Sequence, residues 1–242
     1  MWSTIGQTKT MGFIERDNKI YVKILSSDGT MRIPTNESDP DHIKRVEELK
    51  NGETKTYIEK IVNGYKGKIK SINFREMEFG KMINIVFEND EENKEVVLSM
   101  NCNTNFAKDF MEKLPNINLE REVSISPWSM TKDNGKTSKG MVVWQTPDKM
   151  EEGSAKVKVQ SFFREYEEGK RPMVKNGFPE PRDGGKGFDN DDWRLYFTEV
   201  KKFLIKYTEE NILSKMIGFR NAVPGTIDDV CEKEISADDI PM

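Results

Sequence analysis

The chain has 242 residues with 38 Lys+Arg against 42 Asp+Glu, a formal net charge of −4, and 35% hydrophobic residues. No run reaches the ~18–20 consecutive apolar residues that cross a bilayer as a helix, and Met1–Lys9 lacks a signal-peptide layout, so secretion and membrane insertion are excluded and a reducing, cytoplasmic setting is expected. Cys102 and Cys231 stand 129 positions apart with no Cys/His cluster, which leaves no structural zinc site and no expected metal or cofactor. The one histidine, His42, sits in a polar run and reads as solvated or capping, which removes most nucleophile–histidine chemistry.

Residues 11–34 read as a β-hairpin, with Ile20, Val22 and Ile24 alternating and Ser27-Asp-Gly29 as the turn. Pro40–Leu49 is polar with a weak helical period, Asn51-Gly52 breaks it, and Thr54–Ile61 alternates as a strand. From Gly64 onward the apolar parity changes: Gly67 and Ile69 lie on one side, Ile72 and Phe74 on the other. That switch near Lys70-Ser71 predicts a bulge or bend. Strands follow at Lys81–Glu88 and around Val96–Met100. Phe106, Ala107, Phe110, Met111 and Leu114 then mark an amphipathic helix over Thr104–Leu114. Two more strands, Arg121–Ser129 and Gly140–Gln145, flank an Asp133-Asn-Gly135 hairpin tip.

Strand, strand, strand, helix, strand, strand with a kinked first strand is the pattern of a five-stranded OB-fold barrel, and a small mixed α+β sheet is its rival. The expected organisation, mainly β with α, is an N-terminal hairpin extension over 1–62, an OB-fold core over 63–147, an extended connector over 148–190, a C-terminal helical segment over 191–218 and a disordered acidic tail over 219–242. The helix from Asp191 carries Trp193, Tyr196, Phe197, Val200, Phe203, Leu204 and Tyr207 at helical spacing, with a break expected at Thr208. It can pack on the core or form a homodimer contact.

Cations and aromatics concentrate in the core. Lys66, Lys68 and Lys70 alternate along its first strand, followed by Phe74, Arg75, Phe79 and Lys81, while Lys132, Lys136 and Lys139 crowd the last hairpin beside Trp128 and Trp144. Cations that neutralise phosphates and rings that stack unpaired bases are what single-stranded nucleic acid requires. Trp128 and Trp144 read equally well as core residues. Lys156, Lys158, Phe162, Phe163 and Arg164 repeat the mixture, either extending a groove or packing on the core. Asp189-Asn-Asp-Asp192 reads as a helix cap rather than a metal cluster, and Gly184-Gly-Lys-Gly187 as a linker, since the full phosphate-loop pattern is missing. Nothing else suggests an enzyme, so no catalytic residue is expected.

Asp228–Met242 holds six acids and one base, which leaves residues 1–227 with a net charge of +1. Its end, Asp238-Asp-Ile-Pro-Met242, resembles the tails of bacterial-type single-stranded DNA-binding proteins, which close on Asp-Asp-Ile-Pro-Phe; Met242 departs from the terminal Phe. Gly67–Gln145, with Glu78-Phe-Gly-Lys81, Leu114-Pro-Asn-Ile117 and Lys139-Gly140, is similar to single-stranded DNA-binding proteins of bacteriophages. The resemblance implies a protein that coats single-stranded DNA in replication, recombination or repair, largely without sequence preference. It also implies that Asp238, Asp239, Ile240, Pro241 and Met242 recruit replication or recombination proteins. The alternatives are a protein-interaction module of a virion or replisome, and an RNA-binding regulator.

Overall fold

The computed structural model describes residues 19–48, 51–78, 80–88, 95–133, 135–146, 156–167 and 172–216. Strands β1 (Lys19–Ile24) and β2 (Met31–Pro34) form the expected hairpin, pairing Ile24 with Met31. Its turn needs glycine: Gly29 has φ +73°, and a Cβ there would lie 2.9 Å from the Ser129 Cβ.

The polar stretch after it is not helical. His42–Glu48 forms β3, which pairs along its whole length with β4 (Thr54–Val62), and the Asn51-Gly52 break serves as the hairpin turn. Tertiary pairing outweighs a weak helical period here, because the Arg45 guanidinium stacks 4.3 Å from the Tyr57 ring and forks onto Glu59 only in the strand register.

β5 (Tyr65–Met77) is the long strand of the molecule, and its pairing with β6 (Gly80–Phe87) shifts register between Ile69 and Ser71. The parity change in the sequence marks this bulge. Before it, β5 pairs with β8 (Glu122–Thr131); beyond it, β5 follows β6, which in turn pairs with β7 (Glu95–Asn101). Helix α1 (Asn105–Lys113) is capped by Thr104 and buries Phe106, Ala107, Phe110 and Met111 against the sheet. Strand β9 (Thr137–Gln145) pairs with β8, and the two-residue β10 (Val157–Lys158) pairs with β9.

The five-stranded OB barrel expected from the element order is not what forms. The main sheet has ten strands in the order β10-β9-β8-β5-β6-β7-β1-β2-β4-β3, and it is not closed. Closing strands 65–145 into a barrel would need a last ladder between β7 and β9. The outer edge of β7 is instead occupied by β1, paired in parallel from Lys19↔Glu95 to Lys23↔Ser99. The outer edge of β9 is occupied by side chains of α1. Asp109 accepts the Met141 N–H at 2.7 Å, the Lys113 ammonium donates to the Met141 carbonyl, and the two side chains pair at 2.7 Å. Further along β9, the Val159 N–H donates to the Val143 carbonyl at 2.8 Å. Both edges are satisfied without a closing ladder.

The core lies between this sheet and two helices. Ile83, Ile85, Phe87, Leu98, Ile125, Met141 and Val143 are buried in one cluster with the apolar stripe of α1, and α2 (Asn190–Thr208) adds Val200, Leu204 and Ile205. As the acidic run suggests, Asp189 and Asp192 form a capping box at the start of α2; a π-helical turn, Glu209–Leu213, follows Thr208 directly. Residues 172–189 have few regular elements, only β12 (Met173–Val174), which pairs with β11 (Arg164–Glu165), and a 3₁₀ turn at Arg182–Gly185. They are nonetheless anchored: Phe178 is buried and packs on Phe163 and Phe203 at ring distances of 5.5 and 5.7 Å. The glycine run sits under an indole, since a Cβ at Gly185 would lie 2.6 Å from Trp193. It lines no phosphate loop.

Asp109→Ala is expected to lower unfolding free energy by about 2–4 kcal/mol, because it strands the Met141 amide and the largely buried Lys113 ammonium together. Urea denaturation of the variant and the wild-type chain measures this.

Candidate nucleic-acid interface

The bend in β5 decides which expected residues meet. Lys66 and Lys68 project from the face opposite buried Gly67 and Ile69, and all the lysines of this stretch are exposed. The ladder registers then align Lys66 with Ser124, Ser124 with Trp144 and Trp144 with Lys158, one row across four strands. Neighbouring strands lie ~4.8 Å apart, so the indole sits between two lysines within a span of about 14 Å. Trp144 is 38% exposed and is no core residue. Trp128, on the same face of β8 and opposite Gly140, is 37% exposed. Lys132 and Lys136 stand exposed at the hairpin tip.

Other expected residues point elsewhere. Lys139 shares the inward parity of Met141 and Val143, and its ammonium is used structurally, donating to the Ser26 carbonyl and to the Ser27 carbonyl at 3.1 Å. Lys81 has the parity of Ile83 and Ile85; it pairs with Glu209 at 2.8 Å and lies 5.1 Å from the centre of the Phe74 ring. Both Lys81 and Phe74 therefore fasten the C-terminal helix to the sheet. Lys70 pairs with Glu95, while Arg75 is exposed near the far end of β5. Phe79 and the tail residues Asp238, Asp239, Ile240, Pro241 and Met242 lie outside the described residues.

A cleft of about 480 Å³ opens where the β8–β9 ribbon meets α1 and the segment after β9, lined among others by Trp128, Val142, Lys158, Gln160 and Tyr166. Tyr166 is 60% exposed. Partial burial, with Glu112 and Asp109 close by, pushes its phenol above the ordinary range, so the hydroxyl remains a neutral donor at physiological pH. Of the basic-aromatic run at 156–164, Lys156 and Lys158 are exposed, whereas Phe163 is buried and Phe162 packs against the core. Arg164 hydrogen-bonds buried Glu112 at 3.1 Å. That run is split between surface and core. The arrangement offers exposed rings, ammonium groups beside them and hydrogen-bonding groups in the cleft. The buried Cys102 thiol is pushed up to about 11 by burial and stays protonated.

One basic-aromatic cluster is not apparent in the sequence. The Tyr57 ring is surrounded by Arg45, Lys55 at 5.1 Å and Lys23 at 5.4 Å, drawn from three strands. Lys23 and Arg45 lie more than 20 positions apart in the chain, so only the β1-β2-β4-β3 pairing reveals the cluster. Among the described residues no helix is long and apolar enough to cross a membrane. Comparison of the chain with protein-family models, with curated proteins and with solved structures gives no match.

The Glu59 carboxylate anchors the Tyr57 cluster. It is held below the ordinary carboxylate range, first by its hydrogen bond to Arg45 and further by Arg32, against the opposing effect of burial. A carboxyl lowered by folding contributes stability above its unfolded value of 4.5 and loses that contribution as pH falls below it toward the folded value. Glu59→Gln is expected to cost about 1–3 kcal/mol at neutral pH. The gap to wild type should narrow at pH 3, as read from paired urea melts.

Proposed function

We propose that this chain binds single-stranded DNA, with the outer face of the β8–β9 ribbon and the adjoining half of β5 as the interface. The observation that carries the reading is the row Lys66–Ser124–Trp144–Lys158, an exposed indole between two exposed lysines. The lysines neutralise phosphates, while Trp144 and Trp128 stack unpaired bases. Stacking and backbone neutralisation are sequence-tolerant, which suits a protein that coats unwound DNA in replication, recombination or repair. Partner recruitment through the acidic tail rests on the sequence resemblance.

Two features support a strand rather than a duplex as ligand. The aromatic faces can be used only by unpaired bases, and the cleft beside Trp128, about 480 Å³, is of the size that accommodates a small ligand such as a base. The Lys66–Glu122 pair at 2.7 Å is solvent-exposed and worth little by itself, so a phosphate can replace the carboxylate at small cost.

Fluorescence anisotropy with labelled oligo(dT) tests this. The full chain should bind oligo(dT) in preference to duplex, and the affinity should fall steeply with salt. Trp144→Ala should weaken binding by about 1–3 kcal/mol, and Lys139→Ala, which removes a turn contact, should lower stability with little change in affinity. Equal affinity for duplex, or no binding at low salt, would defeat the proposal. Tighter binding to oligo(U) would make RNA the ligand.

A further inference from the structure

A further concentration of positive charge lies where α1 meets α2. A cavity of about 400 Å³ between α1 and α2 is lined by Lys108, Arg194, Lys201 and Phe197 among others, and no carboxylate is among its lining residues. Lys201 is oriented by the Asn103 side-chain oxygen at 2.7 Å, and the Lys108 ammonium lies 5.3 Å from the centre of the Phe197 ring. Arg194 pairs only at 3.4 Å with Asp191, both groups being highly exposed, so that contact yields readily to a stronger anion. Lys108 has Glu112 at 4.0 Å, Lys201 is held by a neutral amide and Arg194 by a solvent-exposed acid, so an anion placed among them gains charge neutralisation at small cost.

Phe197 supplies the second element. It is 49% exposed although it belongs to a helix that buries its neighbours Val200 and Leu204. Trp193 stacks against it, with ring centres 5.8 Å apart and planes 26° from parallel. That stack fixes the orientation of the phenyl ring. We propose that this cavity is a second subsite on the path of the bound strand, where Lys108, Arg194 and Lys201 hold a phosphodiester and the half-exposed Phe197 packs against the adjoining base. The inference rests on the single-stranded DNA reading above and extends it to residues outside the β8–β9 ribbon.

The path is short. Asp109 and Lys113 of α1 line the Trp128 cleft, while Asn105 and Lys108 of the same helix line the cavity. The two openings therefore share one helix, Asn105 and Asp109 being one turn apart on it, and the exposed Tyr166 lines the one beside Trp128. Burial lowers the Lys108 pKa although Glu112 and Asp109 are near it, and a phosphate at the cavity would offset that desolvation.

The test compares full-length wild type, Phe197→Ala, Lys201→Glu and Lys201→Arg on oligo(dT) of about 16 and about 4 nucleotides, with thermal melts to check folding. On the long oligomer, Phe197→Ala and Lys201→Glu should each lose about tenfold or more in affinity, Lys201→Glu should also flatten the salt dependence, and Lys201→Arg should bind as wild type. On the short oligomer, which the Trp144 row alone can hold, all four proteins should bind alike. Wild-type affinity of both loss variants for the long oligomer, with Trp144→Ala still impaired, would overturn the subsite and leave the single-stranded DNA reading standing. Absence of oligo(dT) binding by the wild-type chain would remove both. Free dTMP that binds with an affinity dependent on Lys201 while oligo(dT) binding ignores Lys201 would overturn the subsite in favour of a mononucleotide site.

Discussion

The edge of β9 is the constraint from which the rest of the architecture follows. An unpaired strand edge in the interior must have its amides and carbonyls satisfied. Here Asp109 and Lys113, one turn apart on α1, take both polar groups of Met141. A Cβ at Gly140 would lie 2.5 Å from the Asp109 carboxylate, so the helix approaches this strand as closely as it does only because residue 140 is glycine. With the edge used in this way, no ladder to β7 can form, and the parallel addition of β1 gives β7 its partner. The helix seated against β9 then has two flanks. One faces the ribbon and makes the Trp128 cleft, and the other faces α2 and makes the cationic cavity.

The bulge in β5 has a comparable reach. A strand that kept one parity would present its lysines and its apolar residues on fixed sides throughout. The shift between Ile69 and Ser71 lets Ile69 and Ile72 both face the core, three positions apart. It also gives the two halves of the strand different neighbours. Lys66 and Lys68 lie beside β8, Lys66 in the row that includes Trp144, whereas Phe74 lies toward the C-terminal helix, beside Leu213 and Met216.

Local patterns in the sequence were sufficient for the hairpin strands at 19–34, the β5 bulge, the cap and core stripe of α1 and the capping box of α2, whereas the break expected at Thr208 does not form, the chain passing there directly into a π-helical turn. Each depends on residues within one or two turns or strand repeats of one another. The closure of the sheet does not, because it is a competition between distant segments for two strand edges. Neither Asp109 nor Lys19 advertises which edge it will occupy. Side-chain direction was partly legible. Lys139 shares the parity of Met141 and Val143, and Lys81 that of Ile83 and Ile85, so their inward course follows from alternation once the strands extend that far. The Tyr57 cluster was hidden for the opposite reason: its members come from three strands, and β3 looks weakly helical by itself.

Charge balance separates an interface from a scaffold in this molecule. With a net charge of −4 the chain as a whole does not attract a polyanion, so any attraction must be local. Cations fall into two groups by what a phosphate would have to displace. Arg32 and Arg45 are committed to Glu59, a carboxylate with 8% side-chain exposure, and breaking either contact leaves a buried charge uncompensated. Lys66 faces an exposed Glu122 and Arg194 an exposed Asp191, contacts that water already screens. The second group lies along the row through Trp144 and in the cavity beside Phe197, where exposed rings also occur. The Tyr57 cluster is richer in cations around a single ring, yet its guanidinium groups belong to the first group. On this criterion, exchangeable charge next to an accessible ring, the proposed nucleic-acid path would run over α1, and the Tyr57 cluster serves to hold β3 and β4 against β1 and β2.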